Sequence, residues 1–232
     1  MNDFGLPPDP DSTLLGMFAK HWAPGKVKTR LAATLGESRA AIVYALFVAT
    51  LVERFSGVAQ RRVIAFSPPE AVSAFRSIAK SHWGVILQAA GDLGARMQSY
   101  FESSLGQAER VVLIGSDAPD LPTAYVLEAL DALRTCDVVL GPTSDGGYYL
   151  VGVARRLPPI FDQMAWSTPA LWPQTIARLQ QAGVIWHELP TWYDVDDEAD
   201  LHALSARLSH SPLEGSLVNL RHALRSVSGR RA

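Results

Sequence analysis

Short apolar runs rich in β-branched residues alternate along this chain with longer stretches whose apolar positions recur at helical spacing. Residues 14–18 (LLGMF), 62–66 (RVIAF), 85–87, 111–115 (VVLIG), 138–140, 148–153 and 184–189 read as strands. Residues 37–55, with Ile42, Leu46, Ala49 and Val52 in register, read as a helix, as do 69–80, 95–105, 124–133, 170–182, 199–208 and 217–225. Strand followed by helix followed by strand predicts βαβ units, so the expected class is α/β with a sheet between layers of helices. The run at 111–115 lacks alternation and favours a strand buried on both faces. Thr168 as N-cap, Pro169 at the first helical position and Gly183 past the end frame the helix at 170–182. Asp197, with Asp200 three positions on, has the spacing of a reciprocal cap for the helix at 199–208.

The chain has 232 residues, 48% hydrophobic and 19% charged, with a net charge of -2, which fits one soluble globular domain. The expected division is a loose leader at 1–12, one α/β domain at 13–210, and a C-terminal helix and tail at 211–232, basic on one side, that packs against the domain rather than serving a membrane surface or a partner. The near-neutral charge balance argues against bulk nucleic-acid binding. The apolar stretch 40–52 is too short for a bilayer, so no integral membrane segment is expected. One cysteine, Cys136, leaves neither a disulfide framework nor a cysteine zinc site and points to a reducing cytoplasm. No HExxH, GxSxG, Walker or GxGxxG spacing occurs, which removes support for zinc or serine hydrolysis and for an NAD-linked oxidoreductase. Oligomeric state is left open by the sequence.

The chemistry-bearing residues fall just after predicted strands. The strand at 111–115 ends in Ser116-Asp117-Ala118-Pro119, where the prolines stop the ladder and Asp117 projects to the strand's carboxyl end, the ligand side of an open α/β sheet. After the first strand, Lys20, Lys26, Lys28 and Arg30 surround the turn Pro24-Gly25, a combination suited to phosphate oxygens. After the third, Gln88, Gly91, Asp92 and Arg96 precede a helix; they have the makings of a base or phosphate pocket, while Asp92 alone reads equally as the helix cap. Asp145-Gly146-Gly147 forms either a ligand-approach turn or a hairpin turn, and both readings stand together. Trp166, before a cap, covers an acceptor or staples its helix to the core. Asp194 and Asp196 sit on one face of an extended DxD segment, which suits a hard cation, Mg²⁺ or Mn²⁺; they also favour the start of the helix that follows.

Taken jointly, residues 18–31 (FAK with GKVKTRL), GDLGARM (91–97), IGSDAPDLP (114–122), GPTSDGGYYLVG (141–152), WST (166–168) and WYDVDDEADL (192–201) resemble a known family. It is the MobA-like transferases of glycosyltransferase-A fold, often labelled radical-SAM or selenium-domain-associated transferase 1, some members being called arsenosugar-biosynthesis glycosyltransferases. The resemblance implies a single-domain, Rossmann-like fold with a mixed, mostly parallel sheet and a nucleotide across its first half. It implies the basic loop on the donor phosphates and a divalent ion on Asp117, with a second ligand from Asp194 or Asp196. Two departures stand out: Lys20-His21-Trp22-Ala23-Pro24-Gly25 replaces a KAPxPG-like run, and Asp197-Glu198 replaces Thr-Pro. The implied activity is sugar transfer from a nucleotide-sugar to a small acceptor, with Asp117, Lys28 and Asp145 as catalytic residues and Asp145 orienting or deprotonating the acceptor hydroxyl. Gly146, Gly147 and Trp166 would face that acceptor. Nucleotidyl transfer from an NTP with release of pyrophosphate is the rival reading, and a non-catalytic nucleotide-binding protein is a third.

Overall fold

The computed structural model describes residues 11–210 and 215–228, so most of the leader and parts of the tail lie outside the described residues. The elements run β1 (Thr13–Lys20), α1 (Thr29–Leu35), α2 (Glu37–Arg54), β2 (Arg61–Ser67), α3 (Val72–Ala79), β3 (Gly84–Leu87), α4 (Leu93–Leu105) and β4 (Arg110–Ile114). They continue with α5 (Thr123–Ala132), β5 (Val138–Pro142), β6 (Tyr148–Ala154), α6 (Leu171–Gln181), β7 (Trp186–Glu188), α7 (Glu198–His210) and α8 (Gly215–Ser228). The strands form one seven-stranded sheet in the order β3-β2-β1-β4-β6-β5-β7. All pairings are parallel except those of β6, which runs antiparallel to both β4 and β5. The protein is thus a single α/β domain with a mixed, mostly parallel sheet flanked by helices.

Burial follows the predicted logic. Every residue of β4 is buried, as its unbroken apolar run requires. One side of the sheet is covered by α2, α3, α5, α7 and α8, the other by α4 and α6, which gives two apolar cores separated by the sheet. Leu217, Leu220 and Leu224 of α8 join the first core, so the C-terminal helix belongs to the domain. Gly94 lets α4 approach the segment before α6: a Cβ there would lie 2.0 Å from the Phe161 carbonyl oxygen.

Four local expectations are corrected. The stretch after β1 is not loop throughout, because residues from Thr29 form α1, with Arg30 in its first turn. In α2 the inward face carries Val43, Tyr44, Phe47, Val48 and Leu51, whereas Ile42 is 51% exposed. With apolar residues on nearly every side of that helix, spacing alone does not single out a face. The helix after Trp166 begins later than predicted: Ala170 is its N-cap, and the Thr168 hydroxyl accepts from the Ala170 N–H at 3.3 Å one turn outside. The end of the leader is docked rather than loose, since the Ser12 carbonyl accepts from the Arg110 N–H at 3.2 Å and Asp11 pairs with Arg134 at 2.8 Å.

Candidate active site

The order β3-β2-β1-β4 reverses direction between β1 and β4, and open α/β sheets bind ligands outside the carboxyl ends at such a point. A cavity of about 530 Å³ lies there, lined by the ends of β1 and β4, residues 26–30 leading into α1, the start of α4, the β5–β6 turn and Asp194 and Asp196.

The crossover helix α2 holds the two strand ends together. The Tyr44 hydroxyl accepts from the Lys20 N–H at 3.1 Å and hydrogen-bonds the Ser116 hydroxyl at 2.7 Å. Burial, reinforced by the Asp117 charge, raises the Tyr44 phenol well above its usual range, so it serves as a neutral hydrogen-bonding group. Arg54 at the other end of α2 donates to the carbonyls of Pro119 and Leu121 at 2.9 and 2.8 Å, fixing the far side of the acidic turn. Asp117 therefore sits on a loop clamped at both ends.

Lys28 is the cation of the basic loop that enters the protein. Its side chain is 4% exposed, and its ammonium contacts the Asp117 carboxylate and, at 2.9 Å, that of Asp196. Burial pulls its pKa down, but the two carboxylates outweigh this and raise it. The backbone reaches this place through a left-handed residue, φ 47° at Lys28, a conformation that costs a non-glycine residue about 1–2 kcal/mol. Arg30 also pairs with Asp196 but is 70% exposed.

Asp194 and Asp196 arrive on the segment that follows β7, an edge strand of the sheet. The Val195 N–H donates to the Asp117 carbonyl at 2.9 Å and the Trp192 N–H to that of Pro142 at 3.0 Å, so this segment bridges the acidic turn and the end of β5. Asp197 accepts from the Asp200 N–H at 3.0 Å while Asp200 accepts from the N–H groups of Asp196 and Asp197, the predicted reciprocal cap. Burial, then repulsion from Asp117, pushes the Asp194 carboxyl up to about 7, with Asp196 and Asp145 adding to the effect against Lys28. Among the described residues no three Asp, Glu, His or Cys side chains close a metal site by themselves. The donor set nevertheless suits Mg²⁺ or Mn²⁺, which are commonly held by one or two carboxylates with water and phosphate completing the shell. An excess of carboxylate oxygens around Asp117 and Asp194 is the charge balance that such an ion relieves.

The β5–β6 turn is both a hairpin and a cavity wall. Asp145 accepts from the Thr143 hydroxyl and from the Gly147 N–H at 3.2 Å. The Thr143 hydrogen bond is the main cause that holds its carboxyl below the ordinary value, so Asp145 is better suited to orient a hydroxyl than to take its proton. A folded-state pKa below the unfolded one stabilises the protein above the unfolded value, and that contribution fades as pH falls through the folded one. Replacing Thr143 with valine is therefore expected to move the Asp145 carboxyl upward in an NMR pH titration and to remove this small acid-side loss.

The start of α4 contributes in two ways. Asp92 accepts from the Ala95 N–H at 2.8 Å and is the helix cap. Arg96 lines the cavity and donates from Nε to the Gly91 carbonyl at 2.8 Å, while Gln88 lines it and donates to the Ala65 carbonyl at 2.8 Å. Trp166 closes the wall between α4 and α6, edge-on to Tyr148 at 6.3 Å, with its buried N–H unpartnered.

Lys20, Lys26, Lys28, Arg30, Gln88, Arg96, Asp117, Asp145, Gly147, Trp166, Asp194 and Asp196 are thus brought to one cavity. Gly25, Gly91, Asp92 and Gly146 stand behind it as turn and cap residues. Gly25, at φ 74°, abuts the Glu37 carboxylate, and the Lys26 N–H is spent on the Ala23 carbonyl inside the turn. Gly146, at φ 91°, lies against the Pro169 backbone. Sequence reasoning passed over Tyr44, Ser116 and Thr143. Ser116 and Thr143 adjoin motif residues, whereas a tyrosine within an apolar helix gives no local sign of its role.

A family model described as "Uncharacterized protein conserved in bacteria (DUF2064)" matches residues 51–168, which include Asp117, Asp145 and Trp166. No curated protein matches the chain. Among solved structures, a candidate nucleotide-diphospho-sugar transferase from Desulfovibrio desulfuricans G20 is 30% identical, with a TM-score of 0.84 over 93% of this chain and 97% of that one. A cytidylyltransferase from Leptospira borgpetersenii serovar Hardjo-bovis (strain JB197) shares the fold at 15% identity and a TM-score of 0.56, over 94% of this chain and 95% of that one. A CMP:2-keto-3-deoxy-manno-octonic acid synthetase complexed with CTP does so at 13% identity and 0.57, over 85% and 98%. With its middle half matched by the family model and a relative aligned along nearly its whole length, the chain belongs to the DUF2064 family.

Proposed function

We propose that the protein is a divalent-cation-dependent transferase that takes a nucleotide-activated donor and moves a sugar from a nucleotide-sugar to a small acceptor, in the manner of the MobA-like, arsenosugar-biosynthesis type of transferase. One observation carries the reading: cations of the segment from the end of β1 to the first turn of α1, and carboxylates from separate segments, face one cavity at the switch point of the sheet. That is the arrangement a diphosphate and its metal ion require. Asp117 and Asp194, with Asp196 beside them, would hold the ion, which when bound neutralises charge on donor phosphates. Lys20, Lys26 and Arg30 would bind the phosphate oxygens, and Lys28 is placed to follow the charge that develops on the leaving group. Asp145 orients the acceptor hydroxyl, and Trp166 with Tyr148 keeps water from that side. The lone cysteine, 5% exposed, is in keeping with a cytoplasmic protein.

A thermal-shift screen of nucleoside diphosphates, triphosphates and nucleotide-sugars, each with and without Mn²⁺, tests this reading. Ligand at about a hundred times its Kd adds about 2.7 kcal/mol, or roughly 5–10 °C for a domain of this size. The expected result is a shift of that order for one nucleotide-sugar, dependent on Mn²⁺. Turnover that releases pyrophosphate from a triphosphate would establish nucleotidyl transfer instead. Binding indifferent to the ion would mark a protein that keeps the sheet without the chemistry.

A further inference from the structure

The acidic turn holds a second carboxylate, Asp120, that the proposed chemistry leaves unused. Its side chain is 8% exposed and accepts from Arg207 Nε of α7 at 2.9 Å and from the Tyr193 hydroxyl. The Arg207 guanidinium lies over the Tyr193 ring, 3.4 Å from its centroid, and Trp192 stacks on the other residue of the pair at 4.7 Å. Asp120 Oδ1 and one Arg207 nitrogen remain buried without a partner.

We propose that Asp120, Tyr193 and Arg207 form a positioning cluster that fixes the separation of the Asp117 and Asp194 carboxylates and thereby sets the affinity of the site for a divalent cation. This rests on the metal reading given above. Its argument is one of connectivity. Asp120 belongs to a tight turn that begins one residue after Asp117 and is closed by the Leu121 N–H on the Ala118 carbonyl at 3.1 Å. Tyr193 immediately precedes Asp194, and beyond it the Val195 N–H is bonded to the Asp117 carbonyl. The two acid-bearing segments are therefore joined on both sides of the gap between their carboxylates, and neither can slide without breaking a buried contact. Stability alone is a poor reason for such a cluster. A buried ion pair with unsatisfied atoms is commonly matched or bettered by apolar packing of the same volume. What it supplies is a defined geometry, and partners behind metal ligands typically alter metal affinity by about 10- to 100-fold when removed.

Tyr193→Phe deletes one hydroxyl and leaves the Asp120–Arg207 pair. Arg207→Lys keeps the charge but loses the planar stack and the fixed donor direction. Mn²⁺ binding is read from the loss of the EPR signal of free Mn²⁺ on titration with protein, with no chelating anion present, at a temperature where thermal melts show each variant folded. Both variants are expected to bind Mn²⁺ about tenfold more weakly than the parent, with Asp117→Asn as the reference for a lost site. Affinities within twofold of the parent in both folded variants would reduce the cluster to a structural contact and overturn the proposal while leaving the metal reading intact. If the parent itself shows no saturable Mn²⁺ binding, the metal reading fails and the positioning role goes with it.

Discussion

Replacing Asp117 with asparagine is expected to lower metal-dependent turnover by at least about a hundredfold, the loss seen when one group that stabilises transition-state charge is removed. The substitution preserves shape and leaves the structural contacts of the loop in place. Those contacts use the Asp117 carbonyl, which accepts from Val195, and neighbouring residues bound by Tyr44 and Arg54, not the carboxylate. Lys28 keeps Asp196 as a partner. What disappears is a negative charge at the mouth of the cavity, and with it the chief charged neighbour that raises the Asp194 carboxyl. Initial rates of donor consumption, with and without Mn²⁺, provide the measurement, and circular dichroism checks that the fold persists. Turnover within threefold of the parent at saturating Mn²⁺ would show that the ion and the chemistry lie elsewhere.

The position of Asp117 was legible because two local signals agree: an unbroken β-branched run and prolines that end it. The Asp197–Asp200 cap was legible for the same reason, since its partners are three residues apart. The α2 stripe was not. Where every side of a helix is apolar, which face turns inward is decided by the sheet it packs on, and Tyr44 is brought to the site by that packing. The short helix α1 was hidden by the cationic residues at its start, which read as loop. The largest gap concerns Lys28, which by composition is one cation among four in its loop. Its partner Asp196 lies 168 residues away in sequence, and no spacing rule spans that distance. Motif resemblance gathered both residues to one site but described the lysine as a catalytic residue and a ligand for phosphate. The structure adds that it is also the buried counter-charge of the acids.

Lys28→Met and Arg30→Met are accordingly expected to part company, although both are cations of the same segment. Methionine fills the volume of the buried Lys28 stem while leaving Asp117 and Asp196 without the ammonium between them. Breaking a fully buried ion pair costs about 3–5 kcal/mol. Here the carboxylates are 39% and 30% exposed, so water recovers part of that, and about 2 kcal/mol is the expected loss. For a domain of this size the unfolding midpoint then falls by about 4–8 °C. Arg30 is 70% exposed, and its pair with Asp196 falls in the surface class, which contributes at most about 1 kcal/mol. Salt separates the two further: 0.5 M NaCl should erase most of any Arg30 effect, because exposed pairs are screened, but little of the Lys28 effect. Thermal melts of both variants at low and high salt, run beside Mn²⁺-dependent donor binding, make the comparison. Equal and salt-sensitive losses from the two substitutions would mean that Lys28 spends its time in solvent, and its role as the buried partner of the acids would have to be given up.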